Sequence, residues 1–471
     1  MEEKNELDQV KEALFRDKKS GSVRVSAEVI AQADAYCEAY KAFLDAAKTE
    51  REAVSYAIAA CEAQGYQPFE PGKSYAPGDR VYLNNRNKAV ILATFGKRPC
   101  AEGIHLAAAH IDSPRLDLKP NPVYEKNDLA FLDTHYYGGI KKYQWTTIPL
   151  ALHGRIVKKD GTAVDLRLGE APEDPQFCVT DLLIHLSSEQ MKKTLAAGID
   201  GEDLDVLSGS RAYRGLEGAE AVKANLLALL NAQYGITEDD FVSADLTMVP
   251  AAHAVDIGFD RSMIGAYGHD DRVCAYTALT AALAVTTPEY TSVTVLTDKE
   301  EIGSDGTTGL QCDYLRHFIE DLAEMEHVPA RTLFRSMDCF SADVNAAYDP
   351  LYASAYESNN ASYINGGVVI TKYTGSRGKS GTSDAPAEFM SHVRQVLDTE
   401  NVLWQTGELG RVDIGGGGTV AKYIANMNVD VVDVGVPVLS MHAPLEVVSK
   451  LDVYMTARAF EAFFRSGMNA F

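Results

Sequence analysis

Five short stretches set carboxylates and imidazoles beside expected strand ends. In AAAHIDSP, His110 and Asp112 stand two apart, so on an extended strand they point to the same side. A carboxylate beside an imidazole is how a metal-binding histidine is oriented, although an HxD pair also occurs at plain surface strand ends. In YGHDDRVCAYTAL, Asp270 and Asp271 open a helix of small residues, where carboxylates serve equally as caps. In VTVLTDKEEIGS, an apolar run ends in Asp298, Glu300 and Glu301. Acids at a strand's carboxyl end sit where open α/β sheets bind ligands. A solvated charge run is the alternative, and it fits poorly straight after VTVL. In FRSMDCFSADVNAA, Asp338 lies within a mostly apolar strand and Asp343 follows it. His442 ends the apolar VDVGVPVLSMHAPLE. For either of these alone, a satisfied strand-end residue is the plainer reading.

Together the stretches supply two histidines and three carboxylates, a mixed N/O donor set suited to Zn²⁺, Co²⁺ or Mn²⁺. One more carboxylate, next to a ligand in sequence, could act as a base. Two ions about 3.5–4 Å apart that share a carboxylate form the two-metal hydrolytic arrangement.

The elements that must position these residues fall into three textures. Residues 26–62 are Ala-rich with helical apolar spacing (Val29, Ala33, Tyr36, Tyr40, Phe43, Leu44). A Pro/Gly cluster ends this pattern. Strands at 80–83 and 89–95, joined by NNRNK, read as a hairpin, and 103–111 as a further strand. From about 120 to 255, short β-like stretches (146–152, 154–157, 163–167) alternate with turns before a helix near 219–232, as in an inserted module. After 257 the pattern is βα. Helices are expected at 270–284, 312–326, 385–397 and 451–465, and strands at 292–297, 333–340, 368–373 and 429–434. This alternation predicts an α/β fold with a mixed or parallel sheet covered by helices.

The 471 residues carry 44 basic and 67 acidic side chains, a net charge of −23. Such a chain repels phosphate backbones, which argues against nucleic acid as a partner. No apolar run approaches the ~18 residues of a membrane span. The opening MEEKNELDQVKEALF is acidic and amphipathic, without the basic-then-apolar pattern of a secretory signal. Seven scattered cysteines, never spaced CxxC, read as reduced cytosolic thiols.

HIDSP, HDDR, DKEEIGS, SADVNAA and SMHAPLE, in this order and at these wide spacings, resemble the aspartyl aminopeptidase family of dinuclear metallo-aminopeptidases, in its bacterial branch. The resemblance covers most of the chain and is weakest in the middle. It implies a zinc-exopeptidase-like catalytic domain formed by 1–118 and 256–471, with a β-rich interface domain at 119–255. It implies Asp270 as the bridging carboxylate, His110 and Asp343 completing one metal, and Glu301 and His442 the other. Glu300 would be the general base, and Asp112 the partner of His110. Lys372 in GGVVITKY is similar in place to a family active-site lysine. His135 in DTHYYGG resembles the histidine that reaches into an active site, expected here to be a neighbouring subunit's. Two divalent ions per subunit, zinc foremost and cobalt or manganese as alternatives, would serve a cytoplasmic peptide hydrolase. Its copies would assemble from dimers into a tetrahedral dodecamer.

The chain departs from the family pattern in Asp271-Arg272 after the bridging aspartate and in VNAAYDP after SAD. Both departures bear on substrate preference, so an aspartyl-specific label is not carried over. A rival on the same scaffold is a metal-dependent deacylase or carboxypeptidase. A rival of another class is a nucleotide-dependent oxidoreductase, suggested by the run 415–418, where Gly416, Gly418 and Ala421 give a GxGxxA spacing. That fingerprint needs a strand directly before it, and QTGELGRVD reads poorly as one.

Overall fold

The run Ile104–His110 forms a strand in which every residue is buried. Both faces of such a strand must be covered, and alternate side chains do enter two cores: Ala107 and Ala109 one, Leu106 and Ala108 the other. In this computed structural model, which describes residues 6–16 and 20–469, the strand lies within a nine-stranded mixed sheet. Residues 1–5, 17–19 and 470–471 lie outside the described residues, and with them the start of the amphipathic opening and both ends of the expected catalytic region. Thr291–Thr297 and Met337–Ala342 flank Ile104–His110, both parallel to it, and Asp430–Gly435 runs parallel beyond Met337–Ala342. The expected hairpin pairs Arg80–Asn85 with Ala89–Thr94 and extends the sheet antiparallel.

One face is covered by Ala27–Ala46, Glu50–Ala63, His269–Ala284 and Lys450–Arg465, the other by Tyr314–Met325 and neighbouring short helices. The segment read as helical from 26 to 62 is two helices. Thr49 divides them with a capping box: its side chain accepts from the Glu52 N–H, and the Glu52 carboxylate accepts from the Thr49 N–H.

Three expected strands differ. The 333–340 run is split into the helix Ala330–Arg335 and the strand Met337–Ala342. A short continuous apolar run has no period that separates the two. The stretches 146–152 and 154–157 are largely one strand, Leu150–Val157. Gly154 does not break it: a Cβ there would lie 2.0 Å from the Asp245 carbonyl oxygen, so the glycine allows a close backbone approach.

Residues 115–250 build a separate seven-stranded antiparallel sheet over its own core, which includes Trp145, Ile156, Phe241 and Met248. Its strand Arg115–Lys126 crosses position 118/119 and pairs with Leu129–Tyr137. A five-stranded sheet joins Met263–Ala266, Glu446–Ser449 and Pro437–Leu439, so that the segments before Asp270 and around His442 lie together. Among the described residues no helix is long and apolar enough to cross a membrane.

Candidate metal centre

The parallel strands all end at one edge, and the chemistry-bearing residues follow from that. His110 is the last residue of its strand, Glu300 and Glu301 come three and four residues after Thr297, and Asp343 directly follows Ala342. Asp270, at the start of His269–Ala284, keeps an extended backbone (φ −80°, ψ 109°) rather than a helical one. His442 follows Pro437–Leu439 in a left-handed conformation (φ 64°). Such a conformation costs energy in a non-glycine residue and persists where the surroundings hold it.

His110 Nε2 lies 3.2 Å from Asp270 Oδ1 and 3.9 Å from Asp343 Oδ1. His442 Nε2 lies 3.2 Å from Asp270 Oδ2 and 3.6 Å from Glu301 Oε2. Two groups of candidate ligand atoms, His110/Asp270/Asp343 and Asp270/Glu301/His442, each gather within 4.8 Å. Glu300 Oε2 stands 4.0 Å from His110 Nε2. Asp112 is fully buried, and His110 Nδ1 donates to its backbone carbonyl at 3.0 Å. That leaves Nε2 of His110 facing the cluster. The group opens into a cleft of about 500 Å³.

Electrostatics follow from this crowding. Burial raises the Glu301 and Asp343 carboxyls well above the usual range, with nearby aspartates adding to the effect. Burial also raises Glu300, helped by Asp112 and Asp270. Burial opposes charge on both imidazoles, yet their carboxylate neighbours win: His110 is raised well above its ordinary value, and His442 to about 10. Protons relieve this crowding in the metal-free protein, and a bound cation would relieve it in their place. Glu301 Oε1 is buried without a hydrogen-bond partner among the described residues, as a ligand oxygen would be before its ion.

Other expected residues lie elsewhere. Lys372 does not reach the cleft. Its Nζ donates to Asp384 and to the Ala385 carbonyl, while Thr371 and Tyr373 on either side line the cavity. Lys372 comes just after the strand Val368–Thr371, at a bend that turns its side chain away from the cleft. His135 is exposed on Leu129–Tyr137, its Nδ1 donating to the Tyr136 carbonyl, and it does not line its own chain's cleft. Asp298 is buried against the Thr308 hydroxyl, and Asp338 accepts from the Asn469 N–H. Asp271 and Arg272 are buried behind the cleft.

The glycine run walls the cavity. Gly416–Gly417 pairs with Gly375–Ser376, and a Cβ on Gly415 would lie 2.0 Å from the Leu409 carbonyl oxygen. Turns rather than a strand precede it, and the helix after it, Ala421–Ala425, is short. The glycines therefore serve loop packing, contrary to a dinucleotide fingerprint.

Three contributors escaped the sequence reading. Glu446 accepts from the His442 N–H at 2.6 Å and from the Asp270 N–H at 3.0 Å, tying two elements together. Its spacing of four from His442, inside SMHAPLE, was the available signal. Tyr137 donates to Asp112, and the Gly139 carbonyl accepts from His442 Nδ1. Nothing in DTHYYGG singles these two out from His135.

A His/carboxylate cluster in a cleft at the carboxyl edge of a mixed α/β sheet defines a metallohydrolase. A family model described as aminopeptidase I zinc metalloprotease (M18) matches residues 43–464. A Clostridium acetobutylicum protein called "Probable M18 family aminopeptidase 1" is 48% identical over 435 residues, 91% of this chain and 94% of its own. A Thermotoga maritima protein of the same name is 43% identical over 434 residues, 91% and 95% of the two chains. A solved M18 aminopeptidase from Thermotoga maritima matches with TM-score 0.91 at 41% identity, over 96% of this chain and 99% of that one. A yeast structure described as the mApe1 dodecamer shares the fold, with TM-score 0.74 at 20% identity over 91% and 95% of the chains.

The chain belongs to the peptidase M18 family. It is a zinc-dependent aminopeptidase that hydrolyses N-terminal residues from peptides. The family resemblance and the α/β fold expected from the sequence both hold, and the deacylase, carboxypeptidase and oxidoreductase readings are not favoured.

Proposed function

We propose that this aminopeptidase works with two divalent ions per chain, zinc foremost and cobalt or manganese as substitutes. Asp270 would be shared, His110 and Asp343 would complete one site, and Glu301 and His442 the other. The observation that carries this reading is that each oxygen of Asp270 faces a different imidazole at 3.2 Å. The chemistry that bound ions would supply there is a lowered pKa for an attacking water and polarisation of the scissile carbonyl.

Glu300 takes the proton released by the attacking water and delivers it to the leaving amine. Its half-buried carboxyl, already raised by burial, suits a base that must also act as an acid. Asp112 orients His110, and Glu446 holds the backbone of Asp270 and His442 in register. Dialysis against a strong chelator should abolish turnover, and Zn²⁺, Co²⁺ or Mn²⁺ should restore it. Activity that survives metal removal would defeat the reading.

Residues 1–118 and 256–471 form the catalytic domain in this proposal, and 119–255 the interface domain. Support comes from the separate core of the seven-stranded sheet and from exposed apolar residues at Leu183, Ile184, Leu186, Met191 and Leu195. We take these to join copies of the chain into dimers and the dimers into a tetrahedral dodecamer. The likeness to a yeast protein described as a dodecamer agrees with this. Exposed His135 would then complete a neighbour's active site. Seven unpaired cysteines suit a cytoplasmic enzyme acting on peptides.

A further inference from the structure

The strand Leu129–Tyr137 belongs to the seven-stranded sheet, yet its end runs into the metal centre of its own chain. The Tyr137 hydroxyl donates to Asp112 Oδ2 at 2.7 Å. Asp112 has further donors: the Glu300 N–H to Oδ1 at 3.1 Å and the Glu301 N–H to Oδ2 at 3.2 Å, while His110 Nδ1 donates to the Asp112 backbone carbonyl at 3.0 Å and lies 3.3 Å from Oδ1. One residue thus holds a candidate ligand imidazole, through its backbone carbonyl, and the backbone of both glutamates, through its carboxylate.

Two residues past Tyr137, the Gly139 carbonyl accepts from His442 Nδ1 at 2.7 Å. Between them Gly138 takes φ 74°, and a Cβ there would lie 3.3 Å from Glu301 Oε2. Residues 137–139 therefore reach the outward nitrogen of both histidines, directly for His442 and through Asp112 for His110. The Tyr137 ring is itself fixed. Arg115 lies over it at 4.1 Å and is held by Glu50 at 3.1 Å and Asp117 at 2.7 Å.

We infer that Tyr137 is a positioning residue of the metal centre: by donating to Asp112 it aligns His110 and the Glu300–Glu301 backbone, so that the inserted β module helps to set metal affinity. This rests on the ligand assignment proposed above. Partners of this kind typically change metal affinity by about 10–100-fold. The same strand carries exposed His135 two residues earlier, so a subunit that grips the module would act on the metal centre through one short segment.

The plainer account is that Tyr137 only fills space between module and core. Tyr137→Phe separates the two, because it keeps the ring under Arg115 and removes one donor. Zinc affinity is measured by competition with a chromogenic chelator for the wild type, Tyr137→Phe, Asp112→Asn, the double variant and His110→Ala. Tyr137→Phe should bind zinc about tenfold more weakly or worse. Its kcat should fall with KM nearly unchanged, and its metal-free form should unfold within a few degrees of the wild type. In the Asp112→Asn background, Tyr137→Phe should cost less than about twofold, because its effect passes through Asp112. Wild-type zinc affinity in Tyr137→Phe, an equal loss in both backgrounds, or a large drop in metal-free stability would overturn the inference. Undiminished zinc binding by His110→Ala would instead overturn the ligand assignment beneath it.

Discussion

His442 Nε2 stands 3.2 Å from Oδ2 of Asp270, on the opposite oxygen from the one that faces His110. A single carboxylate therefore joins a residue at the end of Ile104–His110 to one on the loop after Pro437–Leu439. Glu446 fixes the second half of this relationship by accepting from the backbone of both Asp270 and His442.

Asp270→Ala should consequently affect both ions at once. We expect zinc affinity at both sites to fall by more than about tenfold, with activity falling to background. Metal analysis after gel filtration checks this. A variant that keeps two tightly bound ions would show that Asp270 is not shared.

Zinc uptake should expel protons. In the metal-free protein burial opposes charge on His442, but Asp270 and Glu301 raise it to about 10, and His110 is raised as well. Because these folded values exceed the unfolded value of about 6.5, the stabilisation they give the metal-free protein is full below that pH. It is lost as pH rises through the folded values. A ligand imidazole must be neutral, so zinc affinity should climb with pH and activity should fall on the acid side. Calorimetric titration with zinc at pH 7 in two buffers of different ionisation heat measures the protons released. No difference between the buffers would contradict the assignment.

Lys372→Met should leave kcat within about twofold and raise KM a few-fold at most. The ammonium braces Asp384 and the Ala385 carbonyl behind the cleft wall and does not face the reacting atoms. Steady-state kinetics on an aminoacyl anilide tests this, and a hundredfold loss of kcat would restore Lys372 to the catalytic group.

His135→Ala and Glu300→Gln should each be impaired alone and should complement when mixed after dissociation and reassembly. A donor to the developing oxyanion is worth about 10²–10³ in rate, so recovery from a mixed population is readily seen. Absence of recovery in verified mixed oligomers would remove His135 from the neighbour's site.

Much of the candidate site was legible because such residue types leave a local mark: acids or an imidazole at or shortly after the end of an apolar strand, as at His110, Glu300, Glu301, Asp343 and His442. Their convergence was not legible from spacing, since it depends on parallel strands ending at one edge for His110, Glu300, Glu301 and Asp343, and on the five-stranded sheet for His442. Lys372 shows the limit of motif position, because its neighbours Thr371 and Tyr373 line the cleft while its own side chain turns away. The split of 333–340 into helix and strand shows the limit of hydrophobic runs. Glu446 and Tyr137 were hidden for a further reason. They act on backbone amides and on another carboxylate, contacts that leave no periodic or compositional trace.

The most direct test of the two-ion, Glu300-base account is the zinc-to-protein ratio of purified, zinc-reconstituted Glu300→Gln, read beside its kcat. Glutamine keeps the side chain's shape but cannot take up a proton. The account predicts two zinc ions per chain with kcat lower by about 10²-fold or more. A ratio of one, or loss of zinc from a variant that remains folded, would contradict it.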